Sequence, residues 1–341
     1  MRDASKPIIV SASRSTDIPA FYCDWFFNRL KEGHSVWTNP FNNQRMEISY
    51  EDVRFIVFWS KYPANLLKPE YKTYLDERNI GSYIQFTLND YVKEELEPNV
   101  LSVDIRIDKF KKLVDLYGPE HIIWRFDPLI LTDCIREDDL LHKIEYIGER
   151  LQGYTSKLVF SFCDIVHYPK VKRNLENYGV KYTEWTESRM KSFASELSKL
   201  NNKWNYTLAT CAEAVDLSEY GIIKNKCIDD ELIAKISYKD DVLMNYLGIR
   251  VENIQMNLFG ETDIPDNAII LNDKQYAVRT KTLRDSGQRI LCGCVASKDI
   301  GEYNTCIHMC KYCYANTSND IAMCNFKRHL ANKNAETITG L

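Results

Sequence analysis

Apolar residues along this chain fall into two alternating patterns. Short β-branched and aromatic runs occur at Ile8-Ile9-Val10-Ser11, Ser35-Val36-Trp37-Thr38, Phe55-Ile56-Val57-Phe58-Trp59, Tyr83-Ile84-Gln85-Phe86-Thr87, Ile122-Ile123-Trp124-Arg125-Phe126, Leu158-Val159-Phe160-Ser161-Phe162 and Tyr206-Thr207-Leu208-Ala209-Thr210. Runs of this length and composition predict buried strands. Between them, Ala20 to Glu32, Leu66 to Glu77, Ile107 to Leu116, Asp138 to Leu151 and Thr186 to Leu200 repeat apolar residues at three-to-four spacing, which predicts amphipathic helices. Strand alternating with helix predicts parallel β/α units. With an eighth strand at Gln288 to Cys292, the chain reads as α/β, a (β/α)8 TIM-like barrel forming one domain over residues 1–341. Residues 238–286, where Gly, Asn and Asp are scattered, read as an irregular insertion, and 288–330 as a cysteine-rich segment.

Most of these strands run into polar residues at their C-terminal ends: Ser13-Arg14-Ser15-Thr16-Asp17, Thr38-Asn39-Pro40, Ser60-Lys61, Thr87-Leu88-Asn89, Arg125-Phe126-Asp127-Pro128, Cys163-Asp164 and Cys211-Ala212-Glu213. In a (β/α)8 barrel that end carries the active site. Arg14, Lys61 and Arg125 are therefore candidates for carboxylate or phosphate contacts. Asp17, Asp127, Asp164 and Glu213 are candidates for hydrogen bonds to a ribose, an ammonium or a substrate. Each also has an ordinary alternative as a helix cap, a turn residue or one half of an internal ion pair, as for Arg125 and Asp127, two apart on one strand.

The 341 residues are 45% hydrophobic and 12% aromatic, which excludes a disordered or fibrous chain. Lys and Arg number 44 against 48 Asp and Glu, so no global positive field favours a polyanion. The basic run Lys170-Val-Lys172-Arg173 is short and reads as a solvated helix face, which lowers the case for nucleic acid. The longest apolar run, Phe55 to Trp59, is far below the roughly 20 residues that span a bilayer, and Met1-Arg-Asp-Ala-Ser-Lys precedes no signal-peptide core. These features predict a cytoplasmic protein without a membrane partner.

Eleven cysteines change the picture. In a long chain without an export signal, thiolates that bind metal are a better reading than disulfides. Cys23, Cys134 and Cys163 are scattered and read as core or surface thiols, whereas Cys292, Cys294, Cys306, Cys310, Cys313 and Cys324 crowd together. Cys306-Ile-His-Met-Cys310-Lys-Tyr-Cys313 has the spacing C-x3-C-x2-C. Three thiolates so spaced can hold three irons of a [4Fe-4S] cluster and leave the fourth iron open to a cofactor. Zinc remains the alternative, with Cys310 and Cys313 joined by Cys306 and either His308 or Cys324. His308 alone reads as solvent-facing or bonded to backbone. Cys211, Cys227, Cys292 and Cys294 supply the four thiolates of an auxiliary [4Fe-4S] cluster, and would equally suit zinc or serve as small buried hydrophobes.

The C-x3-C-x2-C run, with an aromatic residue before its third cysteine, resembles the signature of radical S-adenosylmethionine (SAM) enzymes, and Cys313-Tyr314-Ala315-Asn316 resembles the spore photoproduct lyase branch. That resemblance implies that Cys306, Cys310 and Cys313 hold the cluster, that the open iron chelates SAM, and that Tyr312 packs near the adenine. Ile9 to Pro19, Val57 to Lys61, Trp124 to Pro128, Thr210 to Glu213 and Cys292-Gly-Cys294 together resemble the domain of unknown function 1848 family, from Ile8 to about Leu330. Members carry at the C-terminus a cysteine cluster that radical SAM proteins carry near the N-terminus. The implied barrel is circularly permuted, with the strand before Cys306 as its first and Ile8 to Ser11 as its second.

The leading expectation is thus a radical SAM enzyme that cleaves SAM to a 5′-deoxyadenosyl radical and acts on a small-molecule substrate. Its electron donor would be a protein such as flavodoxin or ferredoxin. The cofactor carries the hard chemistry and the protein orients it and excludes water. A non-catalytic zinc or iron-sulfur barrel and a nucleic-acid lesion repair enzyme are the alternatives.

Overall fold

The structure, a computed structural model, describes residues 4–40, 42–255 and 264–341. Among them, eight strands form one parallel sheet: β1 (Ile9–Ala12), β2 (Phe55–Ser60), β3 (Gly81–Thr87), β4 (Ile122–Leu129), β5 (Lys157–Phe162), β6 (Thr207–Thr210), β7 (Ile223–Lys224) and β8 (Lys298–Asp299). Their spatial order is β7-β6-β5-β4-β3-β2-β1-β8. The last strand in sequence therefore lies beside the first, with Val10 opposite Lys298 and Ser11 opposite Asp299. No pairing joins β7 to β8 among the described residues, so the ladder has two edges.

Strands buried on both faces read as continuous apolar runs, and period-two alternation assigns those runs to two cores. Val10, Ile56, Phe58, Ile84, Phe86, Trp124, Phe126, Leu158 and Phe160 join the larger core, packed beneath the helices. Ile9, Phe55, Val57, Tyr83, Ile123, Val159 and Ala209 join a second core that also holds Cys227, Cys292 and Cys294. Continuing that second register to the strand ends places Trp59, Gln85, Arg125, Asp127, Ser161 and Cys211 on one face. The crossover helices include Cys23–Glu32, Pro69–Glu77, Val103–Tyr117, Glu137–Leu151 and Glu187–Asn201, close to the expected segments.

Three expectations need correction. Gln288 to Cys292 forms a turn rather than a strand, because Arg284 draws its carbonyls together, with Nε donating to Cys292 O at 3.1 Å and Nη2 to Arg289 O at 3.2 Å. The strand in that place is β8. Ser35–Thr38 belongs to His34–Thr38, which pairs antiparallel with Arg45–Ser49 outside the parallel sheet. The connection between them is too short for the crossover that a parallel pair requires. The segment 238–286 is more regular than an irregular insertion: it contains the helix Asp241–Leu247 and an antiparallel sheet of Ile249–Asn253, Gln275–Arg279 and Ile269–Asn272, while its residues 256–263 lie outside the described residues. No helix among the described residues is long and apolar enough to cross a membrane.

Candidate functional site

Strand β8 delivers the chain into the cysteine loop through Asp299. Its carboxylate accepts hydrogen bonds from Ser11 Oγ (2.8 Å), Ser13 Oγ (2.8 Å), Arg14 N (2.7 Å) and Gly301 N (3.1 Å), so the end of β1 and the start of the loop are one structure. The loop backbone is fixed by distant side chains. Tyr22 Oη donates to Thr305 O at 2.6 Å, Asn174 Nδ2 to Cys313 O at 2.8 Å, and Asn316 Nδ2 to Cys306 O at 2.7 Å. Burial pushes the thiols of Cys306, Cys310 and Cys313 above their ordinary values, and the charge of Cys313 raises the other two further. Cys313 Sγ accepts from Ala315 N and Asn316 N, both at 3.3 Å.

Two buried polar networks hold the loop against the strand ends. His308, 3% exposed, brings Nε2 to 2.7 Å from Asp17 Oδ2, and its Nδ1 lies 3.5 Å from Asn99 O. It is thus bonded to a carboxylate as well as to backbone, and does not face solvent. Asp17 also caps the helix Ile18–Phe21 by accepting from Ala20 N, and accepts from Lys61 N at 2.8 Å. In the second network Lys61 Nζ donates to Glu97 Oε1 at 2.6 Å and to Tyr312 Oη at 3.1 Å, and Tyr312 Oη donates to Glu97 Oε1. Glu97 is fully buried. Although burial alone raises its carboxyl, Lys61 and Arg106 hold it below the ordinary value. Tyr312 therefore anchors the loop through its hydroxyl and, at 7% exposure, presents little ring surface to an adenine. Lys61 is committed to the same anchor, with its charge near Cys310.

The other four cysteines meet although they are far apart in sequence. Cys211 Sγ lies 3.1 Å from Cys227 Sγ, Cys294 Sγ accepts from Cys227 N at 3.2 Å and Ile228 N at 3.3 Å, and Cys292 sits in the same buried cluster as Cys227 and Cys294. The Cys211 thiol, then that of Cys294 and the guanidinium of Arg125, hold Cys227 well below the ordinary thiol value against the opposing effect of burial. The Cys294 thiol lowers Cys292 to about 6. Arg125 Nη1 donates to Cys227 Sγ and Gln85 Oε1, both at 3.2 Å, while Nη2 donates to Asp127, whose other oxygen accepts from Ser161 Oγ. The guanidinium of Arg14 lies 5.1 Å from the centre of the Trp59 ring and that of Arg125 5.4 Å from it.

Beside this group, at the ends of β5 and β6, a cavity of about 630 Å³ is lined by Asp164 and Glu213 together with Phe162, Tyr168, Glu184, Trp185, Arg289 and Ile290. Burial raises the Glu213 carboxyl to about 7, even though it accepts from Phe162 N at 3.0 Å. Asp164 accepts from His167 Nδ1 at 2.8 Å. The candidate residues thus divide three ways. Asp17, Lys61 and Tyr312 brace the cysteine loop, Arg14, Arg125 and Asp127 lie with the four cysteines, and Asp164 and Glu213 line the cavity. Asp299, Glu97, Glu184 and Arg289 escaped the sequence reading, since a single charged residue in a loop or a two-residue strand carries no pattern. Among the described residues no group of three or more His, Cys, Asp or Glu is placed to hold a metal ion. That geometry describes a single ion; cluster thiolates bind different irons and do not converge on one point.

The model of the family described as Domain of unknown function (DUF1848) matches residues 9–315. The chain belongs to the DUF1848 family. No curated protein matches it. Among solved structures, a candidate alpha-L-fucosidase from Bacteroides thetaiotaomicron is similar at 12% identity over 57% of this chain and 82% of that one, with a TM-score of 0.25, an overlap too loose to carry an argument. The DUF1848 match spans β1 to β8 and ends within Cys313-Tyr314-Ala315, so the cysteine loop and the parallel sheet fall within one family unit.

Proposed function

We propose that this DUF1848 protein is a radical SAM enzyme acting on a small molecule, built on a circularly permuted (β/α)8-type barrel. The observation that carries the reading is the set of three half-buried thiols in a C-x3-C-x2-C loop braced against the C-terminal ends of β1 and β2. The position of β8 beside β1 supports the permutation, since the strand leading into the loop neighbours the strand that begins the chain. The donor set fits a [4Fe-4S] cluster: three half-buried cysteines stand at the spacing that holds three irons, the Lys61 ammonium lies near Cys310 and favours its thiolate, and N–H groups already point at Cys313 Sγ. When bound there with SAM, such a cluster supplies reductive cleavage of the sulfonium by one electron from a donor such as flavodoxin or ferredoxin.

The remaining work falls to the chain. Lys61 places a buried positive charge near Cys310 and offsets the charge of three thiolates, while Glu97 keeps that ammonium in position. Arg125 and Asp127, locked to Ser161 and Gln85, form a fixed polar group beside Cys227. We assign Cys211, Cys227, Cys292 and Cys294 to a second metal centre, an auxiliary [4Fe-4S] cluster, on the strength of the Cys211–Cys227 and Cys227–Cys294 contacts. Iron, sulfide and zinc analysis of anaerobically purified protein tests the proposal. Iron and sulfide should be present, and replacing Cys306, Cys310 and Cys313 together by Ala should remove one cluster and abolish formation of 5′-deoxyadenosine from SAM under reduction. Zinc without iron, or unchanged iron in the triple variant, overturns it.

A further inference from the structure

The cavity at the ends of β5 and β6 has a wall of one chemical kind and a rim of another. Phe162, Trp185 and Met190 give an apolar wall, and Ile290, 87% exposed among the described residues, adds an apolar edge. Its volume of about 630 Å³ falls within the roughly 300–1,000 Å³ usual for small-molecule sites. Charges of both signs face the space. Arg289 donates Nη1 to Tyr168 Oη at 2.9 Å and makes no ion pair with any described residue. The turn that carries it is fixed by Arg284, so the guanidinium has a set origin. Glu184 Oε1 is a buried acceptor without a hydrogen-bond partner. Its carboxylate and that of Glu213 share the cavity with Arg289, yet neither forms an ion pair with it. An unpaired guanidinium, an unpaired buried carboxylate oxygen and an apolar wall around one space are costly unless a ligand completes them.

We infer that this cavity binds a zwitterionic small molecule, an amino-carboxylate with an apolar side chain, whose carboxylate meets Arg289, whose ammonium meets Glu184 and whose apolar part packs on Trp185, Phe162 and Ile290. A monoanion leaves Glu184 unmatched, and a monocation leaves Arg289 unmatched. The inference names the substrate class of the proposed enzyme, and rests on that reading only for the chemistry that follows binding.

Calorimetric titration of anaerobically purified wild-type protein with L-phenylalanine, phenethylamine and 3-phenylpropionate tests it, since the three probes share a ring and differ in charge. L-phenylalanine should bind at least about tenfold more tightly than either analogue, each of which leaves one charged group unmatched. Arg289→Gln should weaken L-phenylalanine and 3-phenylpropionate and spare phenethylamine, and Glu184→Gln should weaken L-phenylalanine and phenethylamine and spare 3-phenylpropionate. An analogue binding as tightly as L-phenylalanine, or no binding of L-phenylalanine to wild-type protein at roughly millimolar concentration, overturns the inference. Iron is measured on the same samples. Protein that binds the amino acid but holds no iron rejects only the radical SAM reading, and iron-loaded protein that does not bind it rejects only this inference.

Discussion

Asp17 Oδ2 and His308 Nε2 lie 2.7 Å apart although 291 residues separate them. The contact fastens the cysteine loop to the turn that follows β1, and both side chains are almost completely buried. A hydrogen bond to a buried carboxylate is worth about 1.5–3 kcal/mol. His308→Ala should therefore lower unfolding free energy by about that amount, as read by urea denaturation. Asp17→Ala should lower it more, because the helix cap and the bond from Lys61 N are lost as well. The double variant should be less destabilised than the sum of the two, since they share one contact. Additive losses would show that the contact contributes nothing.

The Lys61–Glu97–Tyr312 network predicts an asymmetric pair of variants. Glu97→Ala leaves the Lys61 ammonium buried without its partner, which costs about 3–5 kcal/mol. Tyr312→Phe removes one hydroxyl and leaves the ion pair at 2.6 Å, so its cost should be nearer 1 kcal/mol. Denaturation of both variants measures the ratio, and equal losses would place the anchor in the tyrosine hydroxyl.

Gly301 packs so closely on the end of β1 that an added Cβ would lie 1.9 Å from Ser13 Oγ and 2.6 Å from Ser13 Cβ. Gly301→Ala should destabilise the protein by about 1–3 kcal/mol. It should also reduce metal retention, because the cysteine loop begins at this residue. Adding Ser13→Gly to that variant removes the clashing atoms and should restore part of the stability, which a thermal melt reads directly.

Lys298 supplies a pH dependence. Burial lowers its ammonium to about 8, with its nitrogen 3.2 Å from the centre of the Trp37 ring. The unfolded chain holds that proton up to the ordinary lysine value, so folding bears the full penalty of the buried charge below pH 8 and loses it as pH rises toward 10.5. Lys298→Met should be more stable than wild type near neutral pH, and the difference should shrink between about pH 8 and 10. A difference constant with pH would mean that Lys298 titrates normally.

Much of the architecture was legible in the sequence because parallel strands buried on both faces must be apolar along their whole length, and their crossover helices must show an apolar stripe. Phe55 to Trp59 and Tyr83 to Thr87 carry that signal without ambiguity. Strands of two residues carry none, which is why β7 and β8 were invisible and why Gln288 to Cys292 stood in for β8. Ser35 to Thr38 has the composition of a core strand, yet its place in a hairpin depends on the turn that follows rather than on its own residues.

The sequence alone determined the cysteine spacing, the alternation that puts Trp59, Arg125 and Cys211 on one face, and the parallel class of the fold, since each follows from local period and residue type. Tertiary structure decided which partners those residues have. Only the pairing of Lys298–Asp299 with β1 brings the cysteine loop to Asp17 and Lys61. Only the packing of the second core brings Cys211 to Cys227 and Cys294. Contacts across more than 200 residues arise because the last strand of the sheet in sequence pairs with the first, and nothing in the neighbourhood of either residue records them, because a hydrogen bond depends on where two groups meet in space and not on what lies beside them in the chain.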